Sequence, residues 1–170
     1  MTSIPTIETE NLRLRATRAS DLKAVAAFFA SPRSFYVGGP KTHDESWRAL
    51  ATGLGHWALR GYGMWHVEEK SSGLSAGYVG LVNYEGWDEP ELGWNMFEGF
   101  EGKGYAYEAA IAARDYAAQH FDLDGVISYI DPQNTRSLAL AARLGATFER
   151  EGPLMGHVCH IYRHPKMGAK

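Results

Sequence analysis

The stretch that most constrains the fold is residues 91–120, ELGWNMFEGFEGKGYAYEAAIAARDYAAQH. Its apolar residues 92–97 predict a buried strand, and residues 105–120, which are rich in alanine and contain no glycine or proline, predict a helix. Between them lies a glycine-rich turn, GFEGKG, whose backbone can approach a ligand closely. A strand, a glycine turn and a helix N-terminus in this order are typical of an anion site, because the first helical turn carries unpaired N–H groups and partial positive charge. We therefore predict that residues 101–106 bind a pyrophosphate.

The glycine pattern is not specific on its own, since an ordinary turn before a helix contains the same residues. It has neither the spacing of a P-loop, G-x-x-x-x-G-K-[ST], nor that of the dinucleotide-binding fingerprint, G-x-G-x-x-G. The choice between a phosphate site and a simple turn therefore depends on the rest of the chain.

Length and charge exclude several classes of function. The 170 residues fit one domain, residues 1–170, that is large enough to bury a core. The net charge of −3 gives no electrostatic reason to expect a nucleic acid. No apolar run approaches the roughly 20 residues of a membrane span, and the first residues, MTSIP, do not resemble a signal peptide. We expect neither nucleic acid nor membrane as a partner.

The single cysteine, Cys159, excludes an internal disulfide, and a cytoplasmic location is the default expectation for such a chain. Its histidine neighbours are His157 and His160, but strand alternation would place His157 with Cys159 on one face and His160 on the other. No cysteine–histidine spacing resembles a zinc site, so we expect no metal.

Hydrophobic patterning predicts a mixture of helices and strands along the chain. Strands are predicted at residues 9–17, 64–69, 76–84, 92–97, 126–130, 146–151 and 158–163. Helices are predicted at residues 22–30, from 43 into the region 52–55, at 105–120 and at 134–144. This order predicts an α/β (α+β) fold with a single mixed, mostly antiparallel central sheet and helices on both faces. A binding cleft is expected where two parallel strands diverge at their carboxyl ends.

Turn and cap residues mark the boundaries of these elements. Ser20 and Asp21 predict one helix cap, and Thr42 followed by Glu45 predicts a capping box. Asn134 also fits a helix N-cap. Residues 35–41 predict an irregular loop, and residues 152–153, Gly-Pro, predict the turn between the last two strands.

Three landmarks in this order resemble the GNAT superfamily of acyl-CoA N-acyltransferases, and more narrowly the branch related to ribosomal-protein N-terminal acetyltransferases. The N-terminal stretch TENLRLRATRASDLKAV resembles that branch's first strand and helix. The family's phosphate motif, [QR]-x-x-G-x-[GA], falls on residues 101–106, and its Asn-x-x-Ser followed by Leu-Gly falls on Asn134, Ser137, Leu144 and Gly145. The resemblance covers most of the chain and implies a GNAT-like fold.

Two residues depart from the family pattern. Glu101 stands where the family usually has Gln or Arg, and a carboxylate near a polyanion predicts weaker affinity or an outward-pointing side chain. Ala141 stands where many members have a tyrosine that protonates the departing thiolate, and Ser137 is the substitute that the resemblance implies.

The resemblance implies transfer of an acetyl group from acetyl-CoA to a primary amine, with acetyl-CoA as cosubstrate. Backbone groups of Trp94, Asn95 and Met96 would pair with the pantetheine arm, provided that the strand at 126–130 splays away. The remaining cofactor contacts are expected from Glu101, Gly102, Lys103, Gly104, Tyr105, Ala106, Asn134 and Ser137. A solvated Lys103 without a phosphate contact is an equal alternative.

The amine must lose a proton before it attacks, so a general base is expected. Glu91 is the first candidate, because the family places a glutamate near that point; the alternative is an edge carboxylate in a polar loop. His66 is the second candidate, and a satisfied sheet histidine is its alternative. A strand N–H near Asn95 would stabilise the oxyanion, and Ser137 would donate to the thiolate unless it is only a helix-surface hydroxyl.

The acceptor is left open between a peptide N-terminus and a small-molecule amine. Tyr36, Tyr84 and Trp87 are predicted to line its pocket, although core packing is the commoner role of aromatic residues. Two other functions remain open at this point: a non-catalytic acyl-CoA-binding module, and an α/β nucleotide-binding protein whose glycine loop holds another phosphate ligand. The family also makes a homodimer possible.

Overall fold

The computed structural model describes residues 3–168, which form eight strands and four α-helices. The strands are β1 (Ile7–Glu8), β2 (Leu12–Arg15), β3 (Met64–Glu69), β4 (Ser75–Val82), β5 (Glu91–Met96), β6 (Ile127–Ile130), β7 (Thr147–Leu154) and β8 (His157–Arg163). The α-helices are α1 (Leu22–Ala30), α2 (His43–Arg60), α3 (Tyr105–His120) and α4 (Thr135–Arg143). Two 3-10 helices, Ala19–Asp21 and Pro32–Val37, flank α1.

All eight strands belong to one sheet, in the order β1-β2-β3-β4-β5-β6-β8-β7. Neighbouring strands are antiparallel except for β5 and β6, which are parallel because the crossover helix α3 connects them. The predicted fold class, a single mixed and mostly antiparallel sheet, is confirmed.

Helices cover both faces of this sheet. On one face α3 packs against the strands through four fully buried alanines, Ala109, Ala110, Ala113 and Ala117, and small side chains let a helix axis approach a sheet closely. On the other face α1 and α2 contribute Val25, Phe28 and Leu50 to a second cluster, which includes Phe97 at the end of β5. The end of β5 therefore lies between the helices that cover the two faces of the sheet.

Several boundaries agree with the patterning: helices 22–30 and 105–120 and strand 64–69 have the predicted ends. The capping box is also present, since Thr42 Oγ1 accepts from Glu45 N–H and the Glu45 carboxylate accepts from Thr42 N–H. However, α2 continues through both of its glycines to Arg60 and ends only where Gly61 adopts a left-handed conformation, φ +80°.

Three local predictions are corrected. The 3-10 helix Pro32–Val37 includes residues 35–37, the first part of the stretch 35–41 that was predicted as an irregular loop. The turn between β7 and β8 lies at Met155 and Gly156, while residues 152–153 pair with β8 inside β7. The carboxylate of Asp21 does not cap α1, because Arg15 and the N–H of Arg18 occupy it.

None of the helices within residues 3–168 has both the length and the apolar character that crossing a bilayer requires.

Candidate active site

The sheet opens between the parallel neighbours β5 and β6. Within the described residues the two strands are in register at one position, where Glu91 lies opposite Ile127. Further towards their carboxyl ends they no longer pair, which agrees with the predicted divergence. We call this opening, between residues 92–96 of β5 and residues 128–130 of β6, the seam. It is the position at which an extended ligand can bind to free strand edges.

Alternation along β5 decides which backbone groups face the seam. Phe97 N–H donates to the carbonyl of Ala76 at 2.8 Å, so alternate residues back from Phe97, including Asn95, turn their backbone groups to β4. The N–H and C=O groups of Trp94 and Met96 point into the seam instead. The pantetheine contacts predicted for Trp94 and Met96 stay predictions that this strand edge allows, and a strand N–H for the oxyanion would come from one of these two residues. The backbone groups of Asn95 are used inside the sheet, which corrects the prediction made for them.

Glu91 lies at the closed end of the seam. Its side chain is buried, 9% exposed, and its Oε2 accepts from the backbone N–H of Tyr129 in β6 at 2.9 Å. Burial raises the pKa of Glu91 to about 8, although the hydrogen bond from Tyr129 opposes this shift. Glu91 is therefore no edge carboxylate in a polar loop. A carboxylate with a pKa near 8 is a far stronger base than an exposed one, as a general base working near neutral pH requires.

Side chains hold the closed end of the seam together. Ser128 Oγ donates to the carbonyl of Leu92 at 2.6 Å and lies 2.9 Å from His164 Nε2. Because the serine proton is used for Leu92, His164 must donate from Nε2, which leaves Nδ1 as a buried acceptor without a partner within residues 3–168. Burial lowers the pKa of His164 to about 4, so the ring is neutral at pH 7. Ser128 and His164 were not predicted from the sequence.

Ser137 lies in the first turn of α4, next to the seam. Asn134 is the N-cap of this helix, as predicted, and its Oδ1 accepts from Ser137 N–H at 3.2 Å. The indole Nε1 of Trp94 donates to Ser137 Oγ at 3.1 Å. Ala141 is fully buried against Ile130, and an alanine at this position offers no hydroxyl. Ser137 is thus oriented by the seam strand and is not a free surface hydroxyl.

The glycine-rich turn forms an open cradle before α3. Gly99, Gly102 and Gly104 have φ values of +86°, +72° and +79°, which favour glycine, and Gly104 is the N-cap of the helix. A side-chain carbon at Gly102 or Gly104 would meet nothing within 4 Å, so the space above the turn is open. The first helical hydrogen bond runs from Glu108 N–H to the carbonyl of Gly104. The N–H groups of residues 105–107 have no acceptor within residues 3–168 and are left for a ligand. These groups fit a pyrophosphate.

Charged side chains next to the cradle are already paired. Lys103 Nζ lies 3.1 Å from Glu69 Oε1, and the hydroxyl of Tyr105 donates to the same oxygen at 2.7 Å. Glu101 is paired with Arg33, a residue from the 3-10 helix Pro32–Val37. The side chains of Lys103 and Tyr105 therefore contact β3. The phosphate contacts predicted for these two residues would have to come from their backbone N–H groups. Arg33 was not predicted from the sequence.

His66 is fully buried and lies on β3, two strands away from β5. Its Nε2 is 2.8 Å from Ser75 Oγ and 3.4 Å from Asp21 Oδ1, and burial lowers its pKa to about 4. A neutral histidine with 0% exposure in this position does not reach an acceptor amine. The structure favours the alternative, a histidine that is part of the core, and we assign it no catalytic role.

An aromatic wall lies on the same face of the sheet as Glu91. The rings of Tyr84 and Trp87 meet edge to face at 5.2 Å, and Trp87 contacts the ring of Tyr129 at 5.7 Å. Burial and the nearby Glu91 raise the pKa of Tyr84. Tyr36 lies elsewhere, on the 3-10 helix Pro32–Val37, with its ring against Phe35. Two of the three predicted pocket residues are thus brought together, and their contact with an acceptor stays a prediction.

Comparison with known proteins assigns the family. A family model described as an acetyltransferase (GNAT) domain matches residues 11–147. The chain belongs to the GNAT acetyltransferase family. A ribosomal protein uS5-alanine N-acetyltransferase of Escherichia coli is 26% identical over 161 residues, which cover 86% of this chain and 79% of that protein. The Bacillus subtilis protein YkkB is 32% identical over 95 residues, which cover 54% of this chain and about half, 55%, of that protein.

Solved structures show the same GNAT architecture. An acetyltransferase from Agrobacterium tumefaciens is 38% identical, with a TM-score of 0.88 and 96% coverage of both chains. RimL, a ribosomal L7/L12 α-N-protein acetyltransferase solved in complex with coenzyme A, has a TM-score of 0.78 and covers 95% of this chain and 98% of its own. At 20% identity this likeness shows the fold alone. The predicted resemblance to GNAT proteins of the ribosomal-protein acetyltransferase type is confirmed.

Proposed function

We propose that this GNAT protein transfers an acetyl group from acetyl-CoA to a primary amine, the α-amine of a peptide or protein N-terminus. The observation that carries the proposal is the seam, which has a buried carboxyl on one face of the sheet and a helix-borne hydroxyl on the other. Glu91 and Trp94 differ by an odd number of positions along β5, so their side chains lie on opposite faces. This separation suits acyl transfer, because the base must reach the amine that adds to one face of the thioester carbonyl, while the hydroxyl must reach the sulfur that leaves from the tetrahedral intermediate.

The cofactor side would be the face covered by α3 and α4. The backbone groups of Trp94 and Met96 that point into the seam would pair with the pantetheine arm as an added strand does. The free amides at the start of α3 would hold the pyrophosphate. Bound in this way, acetyl-CoA supplies an activated acetyl thioester at the seam. The family match and the coenzyme A complex of RimL support this choice of cosubstrate.

On the acceptor side Glu91 accepts a proton from the acceptor's ammonium group, directly or through one water. Its buried position makes the carboxylate basic enough for this transfer, and the Tyr129 N–H keeps Oε2 in place. The N–H of Trp94 or Met96 faces the seam, where it would donate to the oxygen on which negative charge develops. Ser137 Oγ gives its proton to the departing sulfur and takes up, through solvent, the proton that the attacking nitrogen loses, so that the products are the amide and the CoA thiol. Trp94 Nε1 fixes the orientation of the hydroxyl.

One feature supports a peptide acceptor, and a second supports a cationic amine of either kind. The E. coli relative is named for an activity on the alanine of a ribosomal protein, and its match covers 79% of that protein. The aromatic wall of Tyr84, Trp87 and Tyr129 lies beside Glu91, and ring faces together with a carboxylate attract a cationic ammonium group. The homodimer, the cytoplasmic location and the single domain over residues 1–170 stay predictions.

The experiment is a measurement of free thiol released from acetyl-CoA in the presence of a panel of amines. The panel contains peptides with different N-terminal residues, polyamines, aminoglycosides and amino acids. We expect turnover with N-terminal peptides, identified by a mass increase on the α-amine. Turnover with small amines alone would show that the acceptor is a small-molecule amine and not a peptide. Binding of CoA without turnover by any amine would instead identify an acyl-CoA-binding module.

A further inference from the structure

Arg33 connects two parts of the proposed cofactor site that are distant in sequence. It belongs to the 3-10 helix Pro32–Val37, yet its guanidinium reaches the end of β5 and the glycine turn. Nη2 donates to the carbonyl of Met96 at 3.0 Å, and Nη1 donates to the carboxylate of Glu101. Its Nε is buried and has no hydrogen-bond partner within residues 3–168. The side chain is 26% exposed, so solvent screens this charge only in part.

Glu101 makes this contact important, because it is the first residue of the proposed phosphate cradle. Burial disfavours its charge, but its own N–H, the guanidinium of Arg33, the N–H of Gly99 and the charge of Arg136 together hold the pKa of Glu101 below its usual value. The carboxylate is therefore ionised at neutral pH. An unpaired carboxylate at this position would repel a pyrophosphate that the amides of α3 attract.

We infer that Arg33 is a positioning residue for CoA, which cancels the charge of Glu101 and fixes the Met96 carbonyl at the mouth of the seam. The inference rests on the proposed function, since it assumes that the cradle binds a phosphorylated ligand. Arg33 thus offsets, from the segment after α1, the negative charge that Glu101 brings to a motif position where the family usually has Gln or Arg.

Other cations near the cradle do not replace Arg33. Lys103 is bound to Glu69 and lies above the rings of Phe100 and Tyr105, at 5.2 and 5.5 Å from their centres. Arg136 acts on Glu101 through its charge and is not among the hydrogen-bond partners of that carboxylate within residues 3–168. Among the described residues Arg33 is thus the one cation hydrogen-bonded to Glu101.

The test measures the dissociation constant of CoA by titration calorimetry in wild type, Arg33→Ala, Glu101→Gln and the double variant. We expect Arg33→Ala to weaken CoA binding by about tenfold or more, because the carboxylate is then unpaired. Glu101→Gln should change affinity by less than about threefold, and the double variant should return to within about threefold of wild type. Arg48→Ala is the matched control, since it removes one exposed positive charge from α2.

The outcomes separate the inference from the proposed function. A wild-type protein that does not bind CoA overturns both. Wild-type binding with an Arg33→Ala variant of equal affinity overturns the inference alone. A double variant that stays as weak as Arg33→Ala also overturns it, because Arg33 would then act on the structure of the turn and not on the charge of Glu101. Melting temperatures of the four proteins give an independent readout of that structural effect, and the loss in Arg33→Ala should shrink with added salt.

Discussion

Trp94 and Ser137, which are 43 positions apart in the chain, are joined by a hydrogen bond from the indole Nε1 to Oγ at 3.1 Å. An indole N–H only donates, so the serine oxygen accepts and its own hydrogen remains available for a second partner. The strand that lines the seam therefore sets the direction of the hydroxyl that we propose as proton donor. This contact gives the side chain of Trp94 a role in addition to that of its backbone.

Replacing Trp94 by phenylalanine should lower kcat while leaving CoA affinity nearly unchanged. The variant keeps most of the aromatic volume and loses the donor, and one such hydrogen bond corresponds to a loss of about 3- to 10-fold in rate. In a Ser137→Ala background the same replacement should have no further effect, because the two residues act as a unit. Trp47→Phe, at an exposed position of α2, is the control. Additive losses in the double variant would contradict the coupling.

Local patterns predict the elements that carry the site, because their information lies within a few residues. The strand, the glycine turn and the helix at residues 91–120 are of this kind, and so is the N-cap at Asn134. The contacts that shape the site are not local. Arg33 meets Glu101 across 68 positions, and Ser128 meets His164 across 36, so no pattern in the sequence indicates either pair.

Besides these long-range contacts, sequence patterning does not predict how deeply a titratable side chain is buried. Glu91 and His66 were both candidate bases with structural alternatives, and the sequence around them did not separate the two. The structure does so, because His66 is enclosed beneath the start of α1, whereas Glu91 is buried at the edge of an opening. The difference comes from the splay of β5 and β6, which depends on the whole sheet.

Glu91→Gln should lower kcat/KM by about 10²- to 10⁴-fold, the usual contribution of a general base. In wild type the pH profile of kcat/KM should rise to a plateau with an apparent pKa near 8, the value to which burial raises Glu91. A peptide α-amine titrates at about 7.7–8.0 and a lysine side chain at about 10.4, so comparing the two acceptors separates their titration from that of the enzyme. If the apparent pKa of the profile shifts by the full difference between the two acceptor pKa values, Glu91 is not the general base. Glu10→Gln, at an exposed position, is the control.

The same carboxyl should make the free energy of unfolding fall with rising pH. Glu91 has a pKa near 4.5 when unfolded and about 8 when folded, so the folded state favours the neutral form. The contribution of Glu91 to stability is therefore complete below about pH 4.5 and is lost as the pH rises towards 8. Its upper limit is roughly 5 kcal/mol. Without ligand, Glu91→Gln should match wild type near pH 5 and be more stable at pH 9. Denaturant unfolding at both pH values tests this, and an equal difference at the two values would contradict it.

The titration of His164 should lower the free energy of unfolding at acidic pH. Burial lowers its folded pKa to about 4 from the usual 6.5, so the folded state favours the neutral ring. The stabilisation is present above about pH 6.5 and is lost as the pH falls towards 4, by at most roughly 3 kcal/mol. His164→Gln can keep a donor near the Nε2 position for Ser128 and removes the titration, so its stability should depend less on pH between 6.5 and 4. His43→Gln, exposed at the start of α2, is the control, and unfolding curves that decline in parallel for His164→Gln and wild type would show that this ring is not responsible.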